Sequence, residues 1–179
     1  KYRDYKNAGD YRAALEVIRE EIKNPVHRND KPYLININTI GIDGLAHAAS
    51  AYGTEPGFDE EANEYYETIV RLSGGMEAYL LQANQLLTNY YAFSGRWGLA
   101  FSYLQKNLDY YRSVNNVYGQ INATNDFANL YGEMGQLELR DHYRDEAMKM
   151  ADRYFILDKQ PLDENEWLGY DSFLGSKMD

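Results

Sequence analysis

"LQANQLLTNYYAFSGRWGLAFSYLQKNLDYY" (residues 81–111) lies over "INATNDFANLYGEMGQLELRDHYRDEAMKMA" (residues 121–151) without a gap when the chain is shifted on itself by 40 residues. Gln82 meets Asn122, Ala83 meets Ala123, Leu87 meets Phe127 and Asn89 meets Asn129. Tyr91 falls on Tyr131, Gly95 on Gly135, Leu99 on Leu139, Tyr103 on Tyr143 and Leu108 on Met148. Polar and small positions agree as well as apolar ones, which is the signature of a repeat architecture.

Weaker copies precede this pair. "YKNAGDYRAALEVIREEI" (5–22) carries Tyr5, Gly9 and Ala14 at the mutual spacing of Tyr91, Gly95 and Ala100. "GLAHAASAYGTEPGFDEEANEYYETIVRL" (44–72) carries Tyr52, a longer turn, then Phe58, Ala62 and Tyr66. The drift of the period around 40 is absorbed by loop length, which surface connections tolerate.

Within each copy the apolar period is helical. Ala83, Leu87 and Tyr91 recur at i, i+4, as do Phe127 and Tyr131, and Leu104 and Leu108, giving one apolar stripe per helix. Gly95 and Gly135 stand where a first helix must stop and reverse, because glycine enters the left-handed region without penalty. Ala14, Ala62 and Ala100 let a second helix approach closely. Breakers at "NPVHRNDKP" (24–32), "SGG" (73–75) and "SVNN" (113–116) separate the units, and no strand-like alternation is found. Turns are therefore predicted at Gly9, 53–57, Gly95 and 135–136.

These features resemble the tetratricopeptide repeat family, a helix–turn–helix of 34 residues. Leu87, Thr88, Tyr91, Gly95, Ala100 and Leu104 match its pattern in one unit, and Phe127, Ala128, Tyr131, Gly135 and Ala147 in the next. The resemblance spans about residues 2–154. Arg140 and Asn107 depart from it, standing where small alanines are expected. It implies an all-α, right-handed α-solenoid of antiparallel helix pairs, about four units over residues 1–157. Residues 158–179 are then a C-terminal capping helix or the start of a truncated further repeat. In that tail Pro161 ends the preceding helix and Asp163 is an N-cap for a new one. Trp167, Tyr170 and Leu174 form its apolar stripe; docking of this helix on a neighbouring chain, giving a homodimer, is the alternative.

Composition bounds the function. With 44% hydrophobic and 15% aromatic residues, the 179-residue chain is globular. Eighteen tyrosines against six phenylalanines suit thin layers in which few side chains are wholly buried. The absence of cysteine excludes a disulfide framework and thiolate metal sites. No run approaches the roughly 18 apolar residues of a membrane span, so no membrane role is expected, and the cytoplasm is the default compartment. Starting in mid-pattern at Lys1, the chain reads as a fragment of something longer.

Of the net charge of −10, the largest share falls in residues 41–95, with one basic and eight acidic side chains. Nucleic acid is a poor partner for this surface, since phosphate binding needs clustered Lys and Arg. A neutral or basic ligand suits it better. Glu60, Glu64 and Glu67 share a helical face that reads as solvated, no calcium loop accompanying it. His27, His47 and His142 are scattered. No P-loop, G-x-G-x-x-G, H-E-x-x-H or G-x-S-x-G occurs, so neither an enzyme nor a cofactor or metal site is expected.

The informative feature is the first helix of each later unit. "LLQANQLLTNYYAFSG" (80–95) carries no charge, yet Gln82, Gln85 and Asn89 fall at i, i+3 and i+7, opposite the Leu87/Tyr91 stripe. Asn122, Asn125 and Asn129 take the same places in the next unit. An amide offers a donor and an acceptor, so it can pair a peptide unit without reading its side chain. By the resemblance, first helices line a groove in which asparagines clamp the backbone of an extended peptide. Phe93 and Glu133, a turn further on, would add a side-chain pocket and a charge. Ala46 and Ser50 make the equivalent face small in the second unit, and Arg3 and Lys6 would close its N-terminal end. The expected function is a scaffold binding a peptide or protein segment. The competing one is a sensory or regulatory input domain of a larger bacterial signalling protein.

Overall fold

The tyrosine–glycine spacing singled out above builds one recurring helix end. Gly95 takes φ +70° and Gly135 φ +74°. The Gly95 N–H donates to Ala92 O at 2.9 Å and the Arg96 N–H to Tyr91 O at 2.8 Å. Gly135 donates to Gly132 O at 2.9 Å and Gln136 to Tyr131 O at 2.8 Å. This 5→2 and 6→1 pair satisfies carbonyls that the last turn leaves open. Asp10 to Tyr5 and Gly9 to Lys6 repeat it in the first copy. Asn116 to Tyr111 and Asn115 to Arg112 repeat it again, with Asn115 at φ 53° where the others have glycine. Asparagine tolerates that region because its short polar side chain bonds locally.

The computed structural model describes residues 1–157, all of whose regular elements are helical. They are α1 (Tyr2–Asn7), α2 (Tyr11–Lys23), a 3₁₀ turn (Pro25–His27), α3 (Lys31–Tyr52), α4 (Phe58–Ser73) and α5 (Glu77–Phe93). Then come α6 (Trp97–Ser113), α7 (Val117–Glu133), α8 (Leu137–Ala151) and a π-helical turn (Asp152–Leu157). All four expected reversals fall between helices, at Gly9, 53–57, Gly95 and 135–136. The tail helix expected over 158–179, with its proposed capping or dimer-forming role, lies outside the described residues.

Starts are set by side-chain caps. Asp10 accepts from Ala13 N, Asp30 from Tyr33 N and Asn116 from Gly119 N, the last at 2.8 Å. Pro32 occupies the first turn of α3, where a missing N–H is harmless.

Contacts divide the chain into two compact units, residues 1–107 and the part from Leu108 onward, with the border inside α6. In the first unit consecutive helices pack, and the long α3 touches α2, α4 and α5. Ala14, Leu15, Ile18, Ile42, Leu45, Ala62, Ile69, Leu87 and Leu104 are at most 1% exposed. Gly41 is required by packing: a Cβ there would stand 2.5 Å from the Tyr65 ring. In the second unit α7 packs on α8, with Phe127, Ala128, Ala147 and Ala151 buried. Gly119 is likewise covered by the ring of Tyr111.

The two departures from the repeat pattern have physical accounts. Asn107 is 3% exposed and sits in a buried chain of bonds. Tyr66 OH donates to Asn84 Oδ1 at 2.9 Å, Asn84 Nδ2 to Asn107 Oδ1 at 2.8 Å, and Asn107 Nδ2 to Leu81 O at 3.0 Å. Its counterpart 40 residues on, Ala147, is buried without polar partners to satisfy. At the other position Arg140 replaces Ala100, and the facing Ala92 has become Gly132. The Arg140 Cδ lies 3.1 Å from where a Gly132 Cβ would be, so the glycine makes room for the larger side chain.

Candidate functional site

On α5 the helical register separates two faces. Ala83, Leu87 and Tyr91 are at most 3% exposed and face the core. Gln82 and Asn89 are exposed, Gln85 is half-buried, and Phe93 is 45% exposed although apolar. The three amides make no side-chain hydrogen bond within the described residues, so their donors and acceptors are left for solvent or a ligand. By contrast the neighbouring amides Asn84 and Asn107 are buried and satisfied. The structure thus sorts the amides of this unit into a core network and an open row.

On α7 of the second unit the same register recurs. Ala123, Phe127 and Leu130 are buried, while Asn122, Asn129 and Glu133 are exposed. Asn125 is half-buried, and its Oδ1 is shut off from solvent with no hydrogen-bond partner. The Glu133 carboxyl is pushed above its ordinary value by desolvation from surrounding protein atoms. No cation among the described residues pairs with it. Each expected residue therefore stands on the open or partly open face of its own helix.

Two other expectations need correction. Ala46 is 4% exposed and belongs to the core of α3, so it does not widen an open face; Ser50 is exposed. Lys6 is not free to close an open end, since its Nζ lies 2.5 Å from Asp43 Oδ2. Tyr2 OH donates to the same oxygen at 3.1 Å. Asp43 thus bonds two side chains of α1, a helix that packs on α2 and buries no residue of its own.

The acidic helix α4 is partly structural. Arg19 holds Glu61 through Nε at 2.8 Å and a second guanidinium nitrogen at 2.7 Å, while Tyr65 OH also donates to Glu61. Burial alone would raise the Glu61 carboxyl, but the bonds from Arg19 and Tyr65 outweigh it and hold it below its ordinary value. Asp59 accepts from Tyr90 OH at 2.7 Å and pairs with Arg96. Glu60, Glu64 and Glu67 remain exposed. These cross-helix pairs were not foreseen, because a linear sequence gives no register between α2 and α4.

Each histidine ring lies against a tyrosine: His27 on Tyr33 at 3.8 Å, His47 on Tyr11 at 5.4 Å, and His142 edge-on to Tyr143. Among the described residues no group of three or more His, Asp or Glu side chains is placed to hold a metal ion. No helix among them is long and apolar enough to cross a membrane. No protein-family model, curated protein or solved structure matches the chain.

Proposed function

We propose that this chain is a binding module of the tetratricopeptide kind, whose helix pairs stack as an antiparallel, right-handed solenoid and present amide rows to an extended protein segment. One observation carries the reading. Gln82, Gln85 and Asn89 stand on the open or half-open side of α5 without a partner, while Asn84, one position before Gln85, is buried and bonded through both its amide oxygen and its amide nitrogen. Unpaired amides on a regular helical face suit a ligand that itself presents alternating N–H and C=O groups, as an extended backbone does. Exposed Phe93 at the end of the row offers an apolar surface for one side chain of that segment. The acidic surface favours neutral or basic segments over acidic ones.

The test is capture of extended peptides from a degenerate nine-residue library on the immobilised chain, followed by titration of the best binder. Replacing Gln82 and Asn89 together with alanine should weaken that binder by roughly 1–3 kcal/mol, through polar groups left unpaired in the complex. The melting temperature should hardly move. Affinity unchanged by the double replacement would remove the amide row from the binding surface.

A further inference from the structure

Lys106 Nζ stands 4.0 Å from the ring centroid of Tyr103 and 5.7 Å from that of Tyr66. The two rings meet at 75° with centroids 5.4 Å apart, so α4 and α6 form a corner of two aromatic walls. Both tyrosines are half-buried and Lys106 is exposed, which leaves the corner open to solvent. Its walls are fixed. Tyr66 OH donates to buried Asn84, and Tyr91, stacked on Tyr103, donates its OH to Asn63 Oδ1 at 3.3 Å. The seated cation is not fixed: Lys106 forms no ion pair among the described residues, and its stem is flexible. Forty residues on, Glu146 stands in the place of Lys106 while the tyrosine stack is kept, so the stack needs no seated cation.

We propose that this corner binds a trimethylated lysine side chain of a partner protein, whose quaternary ammonium displaces Lys106 from the Tyr66 and Tyr103 rings. Aromatic faces attract cations, and aromatic enclosures suit quaternary ammonium groups. An unmodified lysine gains nothing by replacing Lys106, since one strongly hydrated ammonium is exchanged for another and the resident one is tethered. Trimethylation removes the N–H donors that hold water, so the ligand gives up less hydration on entering. A guanidinium is planar and stacks on one ring, whereas a quaternary ammonium meets both. Neighbouring charge favours a ligand without an anion. Glu64 and Glu67 are exposed on α4, and burial followed by the charge of Glu67 raises the Tyr103 hydroxyl above its ordinary value. The phosphate of a choline headgroup would meet that charge, while a peptide backbone carries none. None of these residues belongs to the amide rows, so the corner can bind whether or not those rows do.

The full 179-residue chain is titrated with Nα-acetyl-trimethyllysine amide, and the tyrosine ring signals are followed by nuclear magnetic resonance. Tyr66 and Tyr103 are assigned through their Phe variants. Capped lysine, capped arginine, phosphocholine and a neutral tert-butyl isostere of the probe are the comparisons. The probe should shift Tyr66 and Tyr103 and bind at least about twofold more tightly than each comparison. Lys106→Gln should tighten it by about twofold to fivefold, the strength of an exposed cation–π contact. The neutral isostere tests the charge without altering the protein. Equal binding of that isostere, of lysine or of arginine overturns selection for a quaternary ammonium. Phosphocholine bound as tightly as the probe overturns the assignment to a protein side chain. No shift at Tyr66 and Tyr103, or an affinity that Lys106→Gln fails to raise, overturns the corner as the site.

Discussion

Tyr103 stacks on Tyr91 with ring centroids 5.7 Å apart and planes 13° from parallel, and 40 residues on Tyr143 stacks on Tyr131 at 5.3 Å and 19°. Stacked rings are a side-chain interaction between the two helices of a unit, reproduced in two units that differ at most surface positions. Tyr143 also lies against Phe127, at 5.5 Å. Tyr143→Ala should therefore cost about 3 kcal/mol, combining lost area with two aromatic pairs. Tyr143→Phe should cost under about 1 kcal/mol, since the stack survives. Urea unfolding followed by circular dichroism measures both; equal losses would show that the hydroxyl, not the stack, matters.

Asn107 anchors the buried amide chain, so its truncation strands Asn84 Nδ2 in the core. Asn107→Ala should destabilise by about 2 kcal/mol. In a double-mutant cycle with Asn84→Ala the two losses should fall short of additivity by at least about 1 kcal/mol. Strict additivity would mean the two amides do not act as a unit.

Glycines in this chain separate into those held by packing and those merely present. Gly41→Ala sets a methyl against Tyr65 and should cost about 1–3 kcal/mol as overpacking. Gly98, inside α6 with nothing within 4 Å of its would-be Cβ, is the contrast. Gly98→Ala should stabilise by about 0.5–1 kcal/mol, through helix propensity alone. Melting temperatures of the two variants should move in opposite directions.

The Arg19–Glu61 pair sets an acid limit. Because the folded Glu61 carboxyl is held below its ordinary value, its contribution is present above the unfolded value, about pH 4.3. That contribution is lost as pH falls through the depressed folded value. Glu61→Gln should lower stability at pH 7, and the gap to wild type should narrow on going below about pH 4.3. A gap that stays constant from pH 7 to pH 3 would refute the linkage.

How much of this was legible beforehand follows from which interactions are local. Helix ends were, because Tyr91, Gly95 and Arg96 make their cap bonds within six residues of chain, and that spacing recurs as Tyr131, Gly135 and Gln136. The open rows were legible too, since Gln82, Gln85 and Asn89 share a face by the 3.6-residue period whatever packs behind them. Pairings between separate helices were not. That Lys6 answers Asp43, that Arg19 answers Glu61, and that Ala46 faces the core depend on how α1, α2 and α4 lie against α3. The same holds for Asn107: composition marks it as polar where alanine is expected, but only the tertiary structure brings Asn84 and Leu81 O within bonding distance. Local sequence determined where helices begin, end and turn a polar side outward, because those choices are settled by backbone bonds a few residues apart. The tertiary structure decided which charges and amides meet, because a hydrogen bond over 2.5–3.0 Å is set by helix register that no single stretch encodes.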